Sequence, residues 1–350
     1  QAPTTASPAQ PERRQALAVA AGAVAAAMPL AAPSQPTPPS SNLKPEVTGR
    51  AHSAIKKVDG REISLFMWNK RLAQTNAPPK ATVLLVHGSS VSSTPVYDLM
   101  VPGRDDASMM DWLARLGYDV WCFDCEGYGR SDKSRAVTAD VAMGPDDLDA
   151  VTQAITRLSG ARQFMLYGAS SGALRAALFA QRHPERVARL LLDAMVWTGQ
   201  GSPTLVERRK RLPAYLAHHR RPIDRAMIRS IFTRDHPGTS DLSVVDAFAD
   251  AVLALDDSMP TGTYIDMTSH LPVCDPAQIK VPTVILRGEF DGIATMEDLL
   301  GFFQRLPHPD KQFVVMQGIA HSSTRSKNYR TVYHLIERCL SQPLPVYTGA

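Results

Sequence analysis

From about residue 50 the apolar positions of this 350-residue chain alternate between two rhythms. Two runs with the two-residue period of strands, near Ala51–Val58 and Glu62–Trp68, flank Asp59-Gly60, a strong hairpin turn signal. Short unbroken apolar runs then alternate with segments of helical period. The runs are ATVLLVHG (81–88), DVWCFD (119–124), QFMLYG (163–168), VARLLLDA (187–194), TVILRG (283–288) and QFVVMQ (312–317). The helical segments lie near Ser108–Leu116, Pro145–Leu158, Gly172–Arg182, Met296–Leu306 and Tyr329–Leu340. An antiparallel pair followed by strand–helix repeats predicts an α/β fold with a mostly parallel eight-stranded sheet and helices on both faces.

One stretch breaks the alternation. Residues 196–275 carry several helical patterns and no convincing strand, which predicts a helical cap inserted into an α/β core made of residues 49–195 and 276–345. The first residues differ again. Arg13-Arg14 precedes a run of small apolar residues from Ala16 to Ala27, the parts of an export signal of twin-arginine type, so 1–33 reads as an export-signal-like leader. A Pro- and Ser-rich linker, 34–48, follows it. A cleaved leader implies a periplasmic or secreted protein; an ordinary alanine-rich leader would leave it cytoplasmic. No apolar run is long enough for a stable membrane span. The formal net charge of +4 is too weak for this size to point to nucleic acid.

In sheets of this type ligands bind beyond the carboxyl ends of the strands, so those positions were read for chemistry. After QFMLYG stands Gly168-Ala169-Ser170-Ser171-Gly172, a G-x-S-x-G between a strand and a helix. Small flanking residues let strand and helix approach closely, and the serine oxygen is lifted above the sheet. Ser170 is therefore the candidate nucleophile, and the backbone N–H of Ser171 a candidate oxyanion donor. A serine needs a base, and of ten histidines His321 is the one that stands directly after the final strand. The imidazole needs a carboxylate. Asp291 is preferred because the Gly288-Glu289-Phe290-Asp291 spacing carries it out onto the loop; Glu289 and Asp193 are the alternatives. The second oxyanion donor falls to the Ser89 amide, just after the first parallel strand, while His87 anchors that loop. Trp197 either lines an acyl pocket or packs in the core.

Several segments together resemble the α/β-hydrolase superfamily over residues 50–340. They are His87-Gly88, Asp124 to Ser131, the elbow at Ser170, His183 to Val187, Gly288 to Asp291 and Gly318 to His321. The resemblance implies a serine hydrolase of esterase or lipase type, with the chain order Ser170, Asp291, His321. Epoxide hydrolases and dehalogenases resemble the pattern but carry Asp at the elbow. The expected reaction is cleavage of a carboxylic ester-like bond through an acyl-enzyme. A carbon–carbon bond hydrolase acting on a β-diketone would use the same residues, and a non-catalytic ligand-binding protein could share the scaffold. No metal or organic cofactor is required.

Two further features change the picture only locally. Cys122 and Cys125 form a C-x-x-C at a strand end rather than a helix start, which reads as buried thiols and not a redox motif; Cys274 and Cys339 leave the question of pairing open. Residues 203–234 hold nine Lys or Arg against two acids. A solvated helix face accounts for that, or the cap attracts an anionic small-molecule substrate. His218-His219 in the same run has no partner at metal-ligand spacing.

Overall fold

A computed structural model describes residues 45–347 apart from 74 and 76; the expected leader and most of the linker lie outside the described residues. The chain opens with a long hairpin of β1 (Val47–Val58) and β2 (Arg61–Leu72). Asp59 and Gly60 both take positive φ, 50° and 75°, as the tight turn requires. Pairing runs on to Val47 opposite Leu72, so the first strand begins inside the expected linker. Backbone bonding extends both strands past the residues whose side chains alternate.

The parallel part of the sheet follows: β3 (Thr82–Val86), β4 (Asp119–Phe123), β5 (Phe164–Ala169), β6 (Val187–Asp193), and, after an insertion, β9 (Thr283–Gly288) and β10 (Lys311–Met316). Across the sheet the order is β1-β2-β4-β3-β5-β6-β9-β10, with only β1 and β2 antiparallel to their neighbours. Every residue of β3 and β4 is buried, which requires cover on both faces and explains their unbroken apolar runs.

That cover comes from the helices: α1 (Ser93–Tyr97), α2 (Met109–Arg115), α3 (Gly144–Ser159) and α4 (Ser171–Arg182) precede the insertion. The insertion between β6 and β9 holds α5 (Pro203–Arg209), α6 (Leu212–Ala217), α7 (Arg225–Ser230), α8 (Leu242–Leu253) and α9 (Gly262–Ile265); α10 (Met296–Arg305) and α11 (Tyr329–Leu340) follow. Trp112 of α2 stacks on Tyr333 of α11 at 4.8 Å between ring centres. The insertion corrects one expectation. Its Arg220–Pro222 and Ser258–Pro260 segments pair as a two-stranded antiparallel sheet, β7 and β8. Three residues are too few to show a period, and the prolines argue against strands when read alone. Among the described residues no helix is long and apolar enough to cross a membrane.

The hairpin is tied to the sheet by a buried ion cluster. Lys56 of β1 lies 2.5 Å from Asp147 of α3 and 2.7 Å from Glu126, beyond β4. Asp147 also accepts the Glu126 N–H at 3.0 Å, and Arg135 holds the outer side of Glu126 at 2.7 Å. Burial works against the Lys56 charge, but its two carboxylates more than offset that and raise its pKa. Burial already raises the Asp147 carboxyl, and removing the cation leaves it enclosed without its main counter-charge. Lys56→Met is expected to cost about 3–5 kcal/mol, read as a lowered midpoint in urea unfolding with an unchanged slope.

Candidate active site

The turn from β5 into α4 is built by contact distance. A Cβ placed on Gly172 would lie 2.2 Å from the Val86 carbonyl oxygen, and one on Gly168 would lie 2.5 Å from that of Gly172. Only glycine at both positions lets the first turn of α4 press against β3 and β5. Ser170 sits between them with φ 56° and ψ −126°, a backbone that L residues rarely adopt. Its N–H is fixed to the Asp193 carbonyl at 2.9 Å. The side chain stands clear of the sheet, half-buried.

The loops after β9 and β10 bring the other two residues to it. Glu289 and Phe290 donate backbone N–H groups to Met316 and Ile319, each at 2.9 Å, so the two loops are stitched together. Arg287 donates to four carbonyls of the first loop, those of Gly288, Glu289, Asp291 and Ala294. In this frame His321 Nε2 is 3.1 Å from Ser170 Oγ, and His321 Nδ1 is 2.9 Å from Asp291 Oδ1. Asp291 is buried and also accepts the Ile293 N–H at 3.0 Å. Burial would raise its pKa; the His321 charge and hydrogen bond hold it below the usual carboxylate value instead.

The two alternative acids are occupied elsewhere. Glu289 accepts the Gly318 N–H at 2.8 Å, bracing the loop that carries His321. Asp193 is fully buried and accepts the Tyr167 hydroxyl at 2.5 Å together with that of Ser323. Burial pushes its carboxyl up to about 6 against those two hydrogen bonds. Neither carboxylate is hydrogen-bonded to His321.

On the opposite side of Ser170 the loop after β3 closes in. A Cβ on Gly88 would be 3.2 Å from the Ser170 Cβ, so that loop passes directly over the serine. Ser89 Oγ donates to Ser171 Oγ at 2.8 Å, clamping the loop to the first turn of α4. Among the described residues, neither the Ser89 nor the Ser171 amide has an acceptor. His87 is the anchor: the Cys125 N–H donates to its Nε2 at 3.0 Å and its Nδ1 meets the Gly88 carbonyl at 2.8 Å. Burial lowers its pKa to about 3, so it is a neutral strut.

The family described as Serine aminopeptidase, S33, matches residues 77–328. The chain belongs to this family of α/β-hydrolases. No curated protein matches it closely enough to count as a relative. Solved structures share the fold at low identity. A thermophilic esterase from Thermogutta terrifontis (malate bound) is 21% identical with a TM-score of 0.56, over 83% of this chain and 97% of that one. A hydrolase from Pseudomonas aeruginosa PA01 is 17% identical with a TM-score of 0.59, over 83% and 98%. A thioesterase domain from the curacin biosynthetic pathway is 18% identical with a TM-score of 0.56, over 82% and 99%.

The insertion of this hydrolase supplies the rest of the site. A cavity of about 60 Å³ lies at Ser170 and His321, lined also by Arg208, Ile231, Arg234 and Phe248 of the insertion and by Arg325. A second cavity, about 460 Å³, shares Arg208, Ile231 and Arg234 with it and adds Arg211, Arg221 and Tyr264. Trp197 does not line the small cavity. Asp298 accepts the Trp197 and Thr198 N–H groups at 3.0 and 2.9 Å, which turns the start of the insertion onto α10. The indole packs there against Phe302 and Arg305, at the edge of the core and outside the lining of both cavities.

Sequence reading missed Arg208, Arg234, Arg325, Tyr264 and Asp235 as individuals. The basic run was visible, but not which of its members turn inward. Asp235 comes within 4.8 Å of the nearest Asp291 and His321 ligand atoms, and is itself held by Thr204 at 3.0 Å and Arg234 at 3.4 Å. His218 and His219 are exposed. All four cysteines are buried and unpaired, and burial pushes the Cys125 thiol up to about 12, out of the range of a redox cysteine.

The acid can be identified by substitution. Asp291→Asn is expected to lower kcat by about 10³–10⁴-fold, while Asp193→Asn and Glu289→Gln stay within about tenfold of the parent. Steady-state kinetics on an activated ester reads the three variants side by side. A larger loss in Asp193→Asn than in Asp291→Asn would move the role to Asp193.

Proposed function

We propose that this protein is a serine hydrolase that cleaves carboxylic esters through an acyl-enzyme, with Ser170 as nucleophile, His321 as base and Asp291 as its acid partner. One observation carries the reading: the continuous chain from Ser170 Oγ through both nitrogens of His321 to Asp291, at 3.1 and 2.9 Å. His321 takes the hydroxyl proton as Ser170 attacks the carbonyl, and the Ser89 and Ser171 amides receive the negative oxygen. The same imidazole then gives that proton to the departing alkoxide. Water, deprotonated by His321, releases the acid and returns the proton to Ser170 by the reverse route. The residues of the insertion that close over Ser170 act as a cap that excludes solvent from this exchange.

The lining favours an ester over the N-terminal peptide bond that the family's name suggests. An aminopeptidase must seat a free α-ammonium group, and that calls for unpaired carboxylates. Here Arg208, Arg211, Arg221, Arg234 and Arg325 line the two cavities, against the carboxylates Glu207 and Asp235. Glu207 is already paired with Lys210 at 2.7 Å and Asp235 with Arg234. A carbon–carbon bond hydrolase on a β-diketone would use the same triad, and a binding protein on this scaffold would not need a complete one. Export through the leader rests on Arg13-Arg14 ahead of the alanine-rich run.

A fluorophosphonate probe is expected to label the parent protein at Ser170 and to leave Ser170→Ala unlabelled. The same variant should retain the parent's far-ultraviolet circular dichroism and lose about 10⁵-fold or more of its turnover of p-nitrophenyl esters. Full turnover by Ser170→Ala would end the assignment, and a parent that splits β-diketones in preference to every ester would favour the carbon–carbon reading.

A further inference from the structure

Three guanidinium groups from separate parts of the insertion converge on the larger cavity. Arg208 comes from α5, Arg221 from β7 and Arg234 from the segment after α7. Arg208 and Arg221 lie over the ring of Tyr264, at 4.7 and 4.3 Å from its centre. Among the described residues neither has a carboxylate within 4.0 Å. The polar partners of Arg208 and Arg221 are the Met267 sulfur at 3.9 Å and the Ser90 hydroxyl at 3.2 Å. The buried Arg221 Nε has none at all.

This is not how the chain treats its other cations. Arg225 and Arg229, on the outer face of the same insertion, pair with Asp250 and Asp246, and so form the solvated surface that part of the basic run was expected to be. Arg220 is spent on the Gly127 carbonyl at 2.7 Å and on Ser258. Arg208 and Arg221 are left without a carboxylate, half-buried and beside Arg234, whose own partner is Asp235 at 3.4 Å. Like charges so placed repel, and beside Arg208 and Arg221 the fold sets no carboxylate, only the ring and hydroxyl of Tyr264. The Tyr264 hydroxyl responds: burial would raise it, but Arg221 and Arg208 pull it down to about 7.

Size points the same way. About 60 Å³ at Ser170 admits little more than the reacting bond, whereas 460 Å³ falls within the range of small-molecule sites. A substrate that reaches Ser170 therefore extends past Arg208 and Arg234, which line both spaces. We infer that the arginine-lined cavity seats an anionic group, a carboxylate or phosphate, borne by the ester some atoms away from the scissile bond. The seat also reaches the oxyanion loop. Arg221 donates to Ser90 Oγ, which lies 2.5 Å from the Tyr264 hydroxyl, and Ser90 follows Ser89 directly. An anion bound at Arg221 thus bears on the loop whose amide faces Ser170.

This inference rests on the ester-hydrolase reading, and the test separates the two. Two matched pairs are compared by kcat/KM. In the first the charge is on the acyl side, mono-p-nitrophenyl glutarate against p-nitrophenyl pentanoate. In the second it is on the alcohol side, 4-carboxyphenyl acetate against 4-carbamoylphenyl acetate. The anionic member of one pair is expected to be preferred about tenfold to a hundredfold, the worth of a charged hydrogen bond, and the preference should shrink as salt is added. Arg208→Gln and Arg221→Gln should each pull that ratio towards one, and Arg208→Lys should restore most of it. Competition by glutarate or by inorganic phosphate tells a carboxylate seat from a phosphate seat. Equal or better use of the neutral esters in both pairs overturns the anionic seat while leaving the hydrolase intact. If no ester is turned over and the probe does not label Ser170, the hydrolase reading fails. The seat is then read directly by calorimetric titration with glutarate and phosphate, whose binding must weaken at least tenfold in Arg208→Gln if the inference is to stand.

Discussion

The structure depends on how closely one helix can approach two strands. With glycine at 168 and 172, the first turn of α4 lies so near β3 and β5 that a methyl group at either position would overlap a backbone oxygen, that of Gly172 or of Val86. No side chain can rotate away from such an overlap, because the obstacle is main chain. That approach forces Ser170 into its positive-φ conformation, at a cost of about 1–3 kcal/mol. The buried sheet on either side supports it. Everything functional is referred to this point: the height of the serine above the sheet, the direction of the Ser171 amide, and the gap into which Gly88 and Ser89 fit.

Around that point the protein sorts its ionisable groups by the partners it gives them. His87 and His321 stand on opposite sides of Ser170, yet His87 is sealed from solvent between a backbone donor and a carbonyl and stays neutral. Asp291 and Asp193 are both buried behind the site, and each disfavours the other's charge. The difference is His321. Asp291 faces an imidazole that can become cationic and keeps its charge; Asp193 faces hydroxyls and is pushed towards protonation. Two carboxylates in one region are thus shifted in opposite directions, and only one is positioned to stabilise an imidazolium.

What could be read before folding follows the same division. Segments whose environment is uniform were legible: β3 and β4 are buried on both faces, and their apolar runs say so. The elbow was legible because its glycines answer a local constraint, and Asp291 and His321 because they end strands in a known order. β7 and β8 were hidden, since three residues carry no period and proline speaks against a strand. Trp197 was left open between pocket and core because its position is decided by Asp298, a hundred residues on, capturing the backbone around it. The inward turn of Arg208 and Arg221 was hidden for a similar reason. Charge density can be counted along a chain, but which charges lose their counter-ions is settled only by packing.

Two arginines near the site show what that loss means. Arg175, on α4, is fully buried, and burial alone would weaken its charge. Cys125, Tyr128 and Asp147 around it reverse that effect, and its guanidinium donates to the His87 and Ala139 carbonyls at 3.4 and 3.1 Å. It is a structural arginine, held more firmly charged than in water. Arg208 is half-buried, and there burial lowers its pKa to about 10, with Arg234 and Arg221 adding to the fall and the tyrosines resisting. A residue kept for packing would lose little by being leucine or methionine there, and it would spare the fold an unpaired cation. Arginine at that position, held over the Tyr264 ring at 4.7 Å, suits the anionic seat inferred above better than it suits packing.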